Sequence, residues 1–186
     1  WDIFGPERKI TKSKGNQLFE LDGKPALELY KNYLGDLANE LPASALSFPL
    51  ALRSNYSDEK RIVRTILNID EKSNSMIFAG DVTQGSLAQL MRTNYDHLID
   101  GASEAAEMAN RENHGEEDLL CVSISCVGRR LVLGERAEEE LEAVLDELQE
   151  NTSQIGFYSY GEIAPYETGF CDLHNQTMTL TTISER

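Results

Sequence analysis

No run in the 186-residue chain approaches the roughly 20 consecutive apolar residues that a membrane-spanning helix needs. Nor does a basic segment followed by an apolar one open the chain, so neither an export signal nor membrane insertion is expected. Positive charge is scarce. Against 32 Asp and Glu stand 17 Lys and Arg, a formal charge of −15. That balance argues against a nucleic-acid surface, which needs clustered cations to displace counterions from phosphates, and against docking on anionic lipid. Cysteine is scarce too, with three in all. Cys121 and Cys126 lie five apart in a strand-like run, so a period of two turns them to opposite faces and they cannot pair. Free thiols fit a reducing compartment, and a cytoplasmic location is expected. Among catalytic signatures, the sequence has no phosphate loop, dinucleotide fingerprint, zinc-protease helix or serine elbow. With no Cys-x-x-Cys pair and no paired histidine spacing, no structural zinc site is expected.

Apolar residues make up 40% and charged residues 26%, the proportions of a globular chain. The length suits one domain with a core that needs no disulfide or metal. Residues 1–16, polar and interrupted by Gly5-Pro6 and Gly15-Asn16, read as a connecting segment from a missing N-terminal domain, with 17–186 as the folded domain. The chain starts at Trp1, and a C-terminal piece of a larger protein is expected.

Gln17 to Leu21 reads as a strand. Asp22-Gly23-Lys24-Pro25 then leads into a helix with the stripe Ala26, Leu27, Tyr30, Tyr33 and Leu34, closed by Gly35. Leu46 to Leu52, interrupted by Pro49, is expected as an edge strand. Runs at 61–69, 75–79 and 86–92 are expected to form an antiparallel meander. A helix capped by Thr93 or Asn94 carries Tyr95, Leu98, Ile99, Ala102, Ala106 and Ala109 at helical spacing. A buried strand, Leu119 to Cys126, precedes an acidic helix from about Glu135 to Leu148, and strands are expected at 154–160 and 176–183. The predicted fold is α/β in the loose, α+β sense: a mostly antiparallel sheet with long helices packed on one face.

Three clusters stand out: Ser125-Cys126-Val127-Gly128-Arg129-Arg130, Gly156-Phe157-Tyr158-Ser159-Tyr160-Gly161-Glu162-Ile163, and Leu173-His174-Asn175-Gln176-Thr177-Met178-Thr179. In this order, with the acidic helix between the first two, they resemble the C-terminal domain of the FIST family of sensory proteins. Residues 1–15 resemble the end of that family's N-terminal domain. The resemblance implies a non-enzymatic sensory domain of a cytoplasmic signal-transduction protein. It would bind a small ligand such as an amino acid or related metabolite, and pass the signal to an output module or a kinase or cyclase partner. Because some family members bind haem and sense nitric oxide, haem is the alternative cofactor to none at all, with His174 the axial ligand.

Period two puts Tyr158, Tyr160 and Glu162 on one strand face, a row suited either to a polar pocket or to a half-buried sheet edge. Arg129, after a strand end, either holds a ligand carboxylate through two parallel hydrogen bonds or pairs with a nearby carboxylate of the chain. His174 and Asn175 precede the last strand, where a lone histidine is either a structural residue or a ligand. His97 and His114 read as surface residues. A cysteine-dependent enzyme, its thiol assisted by a histidine close in space, is a weaker alternative. The binding set expected is therefore Arg129, Tyr158, Tyr160, Glu162, His174 and Asn175.

Overall fold

A computed structural model describes residues 1–111, 118–165 and 171–184. The chain forms two compact units, Asp2–Thr93 on one side and Asn94–Arg186 with Trp1 on the other. Both combine mostly antiparallel strands with helices, the α+β class expected from the patterning. His114 lies outside the described residues.

The first unit is built on an antiparallel sheet. Its strands are β1 (Asp2–Lys14), β2 (Gln17–Leu21), β3 (Lys24–Pro25), β4 (Leu50–Arg53), β5 (Ile62–Arg64), β6 (Ile66–Asp70), β7 (Ser75–Phe78) and β8 (Leu87–Arg92), and helix α1 (Ala26–Leu34) follows β3. The order is β5-β4-β8-β1-β2-β7-β6, with β3 paired to β2. The stretch read as a connecting segment is thus a 13-residue strand in the middle of the sheet. Gly5-Pro6 does not break it, because a register shift between Phe4 and Arg8 takes up the residues that cannot join the ladder. Asp22 and Gly23 both have positive φ, which makes a tight turn between β2 and β3.

Two further corrections come from pairing. Pro49 precedes β4 instead of interrupting it, and β4 lies between β5 and β8, not at an edge. The run 61–69 is two strands, β5 and β6, at opposite ends of the strand order although only Thr65 separates them. The sheet therefore curls back on itself. Of the expected meander only the β6–β7 hairpin exists, since β8 pairs with β1 and β4. Ile10, Leu18, Met76 and Phe78 from the strands meet Leu27 and Tyr30 of α1 in the core, and the Tyr30 hydroxyl donates to the Phe48 carbonyl at 2.8 Å.

The second unit holds α2 (Tyr95–Asn110), β9 (Leu119–Cys126), α3 (Val127–Leu133), α4 (Ala137–Asp146), β10 (Thr152–Ser159), β11 (Glu162–Pro165), β12 (Cys171–His174) and β13 (Met178–Ser184). Asn94 caps α2, its side chain accepting from the His97 amide, as the sequence leads one to expect. The sheet order is β10-β9-β13; β10 runs parallel to β9 and β13 antiparallel, while β11 and β12 form a separate hairpin. The acidic helix, expected from about Glu135 to Leu148, is shorter: a 3-10 turn at Gly134–Arg136 leads into α4 of 10 residues, and α3, which was not expected, precedes both. Gly134, at positive φ, ends α3. Strict alternation along β9 sends Leu119, Cys121, Ser123 and Ser125 inward, where Leu119 and Cys121 pack with Ala102 and Ala106 of α2, Val144 of α4 and Met178 of β13. Trp1 packs beside Leu98, Leu133 and Ala137, and its indole N–H donates to the Gln176 carbonyl at 3.3 Å.

Candidate functional site

On the inner face of β9, two serines follow Leu119 and Cys121 where further apolar residues would complete the core. Parallel pairing sets Gln154, Gly156 and Tyr158 of β10 beside Cys121, Ser123 and Ser125, so all share the helix-facing side of the sheet. Helix cover is incomplete there. A cleft of about 210 Å³ opens over β10, lined by Ser123, Ser125, Gln154, Gly156 and Tyr158, with Leu141 of α4 and Met178 of β13 as apolar wall. Gly156 is required by the approach of the strands, since a Cβ there would lie 1.9 Å from the Ser123 carbonyl oxygen.

The polar groups of the cleft are ordered from behind. The Gln154 amide donates to Ser123 Oγ at 2.8 Å. Ser125 Oγ donates to Glu140 Oε1 at 2.8 Å, which leaves the oxygen lone pairs of Ser125 as acceptors. The Arg130 guanidinium stacks on Tyr158, 4.8 Å from the ring centroid. Burial pushes the Tyr158 phenol above its ordinary value, with Glu140 adding to the shift and Arg130 opposing it.

Of the residues expected to bind, only Tyr158 lines this cleft. Arg129, 4% exposed, is held by buried Glu140 and by the Leu98 carbonyl, so the chain supplies its carboxylate partner. Its guanidinium is not presented to a ligand. The strand expected to carry Tyr158, Tyr160 and Glu162 on one face ends at Ser159. Tyr160, in the bend after it, is 89% exposed, and Glu162 begins the β11 hairpin instead.

Glu162, 2% exposed, sits in a polar knot, accepting from Ser159 Oγ at 2.6 Å and Thr177 Oγ1 at 3.0 Å. Burial raises its carboxyl above the ordinary value, against hydrogen bonds from Ser159, Thr177 and the Cys126 thiol. His174 stands opposite Glu162 across the hairpin, buried, with Nε2 3.0 Å from the Ala164 carbonyl oxygen. The buried Asn175 amide donates to the His174 carbonyl at 3.0 Å. These residues hold the hairpin; they do not face the cleft.

Burial pushes the Cys121 and Cys126 thiols up, which lowers their thiolate fraction and argues against either as the nucleophile of a cysteine enzyme. Among the described residues no cluster of three or more His, Cys, Asp or Glu is placed to hold a metal, and no helix is long and apolar enough to cross a membrane. Among the described residues no histidine lines the cleft, and His174 Nε2, the axial ligand a haem would need, is engaged with the Ala164 carbonyl oxygen. The signal that sequence reasoning passed over is Ser123, which with Ser125 of the first cluster puts polar residues at inward positions of a buried strand.

The family model described as the FIST C domain matches residues 26–165. An uncharacterized protein of Methanocaldococcus jannaschii is 25% identical over 178 residues, which cover 83% of this chain and 34% of that relative. The chain therefore spans about a third of the relative's length. No solved structure matches.

Proposed function

Since the chain belongs to the FIST C domain family, a family of sensory domains, we propose that it binds a small amino acid or related metabolite in the cleft over β10 and signals its presence without catalysis. The observation that carries this reading is the cleft's lining: hydroxyl, amide and phenol groups around an apolar wall of Leu141 and Met178. Such a combination suits a ligand with one polar and one apolar end. A volume of about 210 Å³ suits a metabolite smaller than the drug-sized ligands of typical pockets.

The chemistry of each end follows from the partners. The Ser125 hydroxyl donates its hydrogen bond to Glu140, so its oxygen lone pairs are left to accept from an ammonium. Arg130, which stacks on the cleft residue Tyr158 without itself lining the cleft, replaces Arg129 as the nearby cation for a ligand carboxylate. A ligand touching both β10 and α4 favours conformations in which the two are closed together. It shifts the population only through that difference in affinity. In this reading the domain acts in the cytoplasm, and an output module or a kinase or cyclase partner receives the change.

The test is a thermal-shift screen against amino acids and small amines, with the visible spectrum of the purified chain recorded first. A hit is followed by calorimetry on Ser125→Ala and Tyr158→Ala. Affinity should fall at least tenfold in each. Unchanged affinity in both would move the site away from β10, and a Soret band in the untreated sample would favour the haem alternative.

A further inference from the structure

Behind the cleft stands the Arg129–Glu140 ion pair. Glu140 is fully buried and does not line the cleft, yet both of its oxygens are engaged, Oε1 by the Ser125 hydroxyl at 2.8 Å and Oε2 by Arg129. A carboxylate accepts and never donates, so the Ser125 proton is turned to Glu140 and the lone pairs of Ser125 are left over. A hydroxyl that donates to a carboxylate is polarised by it and becomes a better acceptor. Gln154 is set in the same sense. Its amide nitrogen donates to Ser123 Oγ, which leaves its carbonyl oxygen to accept.

We propose that Glu140 is a positioning residue for specificity: by holding Ser125 as an acceptor, it makes the cleft select a primary amine with a compact apolar body, for which a carboxylate is dispensable. This selectivity rests on the cleft over β10 being the ligand site. An amino acid with an apolar side chain and its decarboxylated amine then bind alike, and the matching acid that lacks the amine is rejected.

An ammonium brings three donors, and charge-assisted hydrogen bonds are roughly twice as strong as neutral ones. A carboxylate brings acceptors only and meets lone pairs at Ser125. The side-chain hydroxyls left to donate to it, those of Ser123 and Tyr158, are neutral, and among the described residues no Lys, Arg or His lines the cleft. Ser123 Oγ also lies 3.6 Å from the Cys121 sulfur, a second partner for its proton. Arg130 stacks on the Tyr158 ring from outside the lining, so it adds less to a ligand carboxylate than Ser125 adds to an ammonium. Because Arg129 balances the charge of Glu140, the selection comes from hydrogen-bond direction and not from net charge. The body of the ligand meets Leu141, Met178, Ile155 and Phe157, which all line the cleft, so its tail is apolar.

Calorimetry and amide NMR of the 186-residue chain at neutral pH, with three probes that share one branched body, test this: leucine, isoamylamine and isocaproate. Leucine and isoamylamine should shift the β10 amides and bind within about threefold of each other, with isocaproate at least about tenfold weaker. Methylamine, a cation without the apolar body, should leave β10 unshifted, which sets the site apart from the general attraction of a chain of charge −15. The joint change Arg129→Met with Glu140→Leu removes the acceptor of Ser125 and frees its proton for the ligand. The preference for amine over acid should then fall below about threefold, and Ser125→Ala should lower it as far by weakening the amine. Isocaproate bound as tightly as isoamylamine overturns the proposal and leaves the cleft standing as a ligand site. Methylamine shifting β10 as isoamylamine does overturns it too, as a plain charge effect. So does a preference that persists undiminished in Ser125→Ala or in the folded double variant. No shift along β10 with any of the three probes overturns the cleft as the ligand site, and the proposal with it.

Discussion

Replacing Glu140 by glutamine removes the charge that faces Arg129. The pair is deeply enclosed, with side-chain exposures of 5% for Arg129 and 0% for Glu140, so water cannot take over from the lost partner. The guanidinium keeps the Leu98 carbonyl, while Ser125 still has an amide oxygen to donate to. What is left is a buried cation with neutral partners only. Removing one member of a buried pair costs about 3–5 kcal/mol, mostly the penalty of the stranded charge. With a urea dependence of about 1–3 kcal/mol per molar, the unfolding midpoint should fall by at least about 1 M. Trp1 is the sole tryptophan and packs in the second unit, so its fluorescence follows the unit that contains the pair. Arg129→Lys should destabilise as well, because an ammonium cannot reach Glu140 and the Leu98 carbonyl in the planar geometry of a guanidinium. The joint change Arg129→Met with Glu140→Leu should cost less than Glu140→Gln, although Leu98 and Ser125 then lose their partners. A Glu140→Gln chain that unfolds at the wild-type midpoint would refute the buried pair.

Gly156→Ala places a methyl group against the Ser123 carbonyl oxygen, a backbone atom that cannot swing aside. A loss of about 1–3 kcal/mol and faster amide exchange along β10 are expected, and wild-type exchange rates would reject the close approach. Because the Glu162 carboxyl is raised in the fold, the folded chain holds its proton more tightly than the unfolded one. Its contribution is therefore complete at low pH and is lost as pH rises from the ordinary carboxylate value through the higher folded one. Glu162→Gln should flatten that part of a melting-temperature series from about pH 4 to about pH 8, and an equally steep fall in the variant would count against it. An aromatic disulfide reagent should titrate exposed Cys171 in the native chain and reach buried Cys121 and Cys126 only on unfolding. Three equally fast thiols would contradict that burial.

Elements with one strong local pattern were legible in the sequence. Gln17–Leu21 and Leu119–Cys126 form strands with the bounds their patterns suggest, and α2 starts at the Asn94 cap with Leu98, Ala102 and Ala106 buried. Elements whose identity depends on long-range pairing were not. Residues 61–69 look like one strand because periodicity reports faces, not neighbours, and the division at Thr65 arises only when the sheet curls. The β11–β12 hairpin was also missed. Glu162 and His174 carry the signature of exposed polar chemistry, and only the folded structure brings Ser159 and Thr177 to the carboxylate and the Ala164 carbonyl to the imidazole, which makes their burial tolerable.

The candidate site divides along the same line. The sequence alone determined the family, the α+β class, the acidic surface and the singularity of the Ser125–Arg130 and Gly156–Ile163 segments, because each is written in residue types at fixed spacing. Which residues meet was left to the tertiary structure. Arg129 was an equally good partner for a ligand or for a carboxylate of the chain until α4 brought Glu140 to it. Ser123 looked like an ordinary strand residue, and Ser125 had no role of its own, until parallel pairing with β10 aligned them with Gln154, Gly156 and Tyr158 around one cleft. The reason is physical. Local sequence sets backbone preference and the face a side chain occupies, whereas desolvation and hydrogen-bond partners depend on segments distant in the chain, and those decide whether a charge is structural or available.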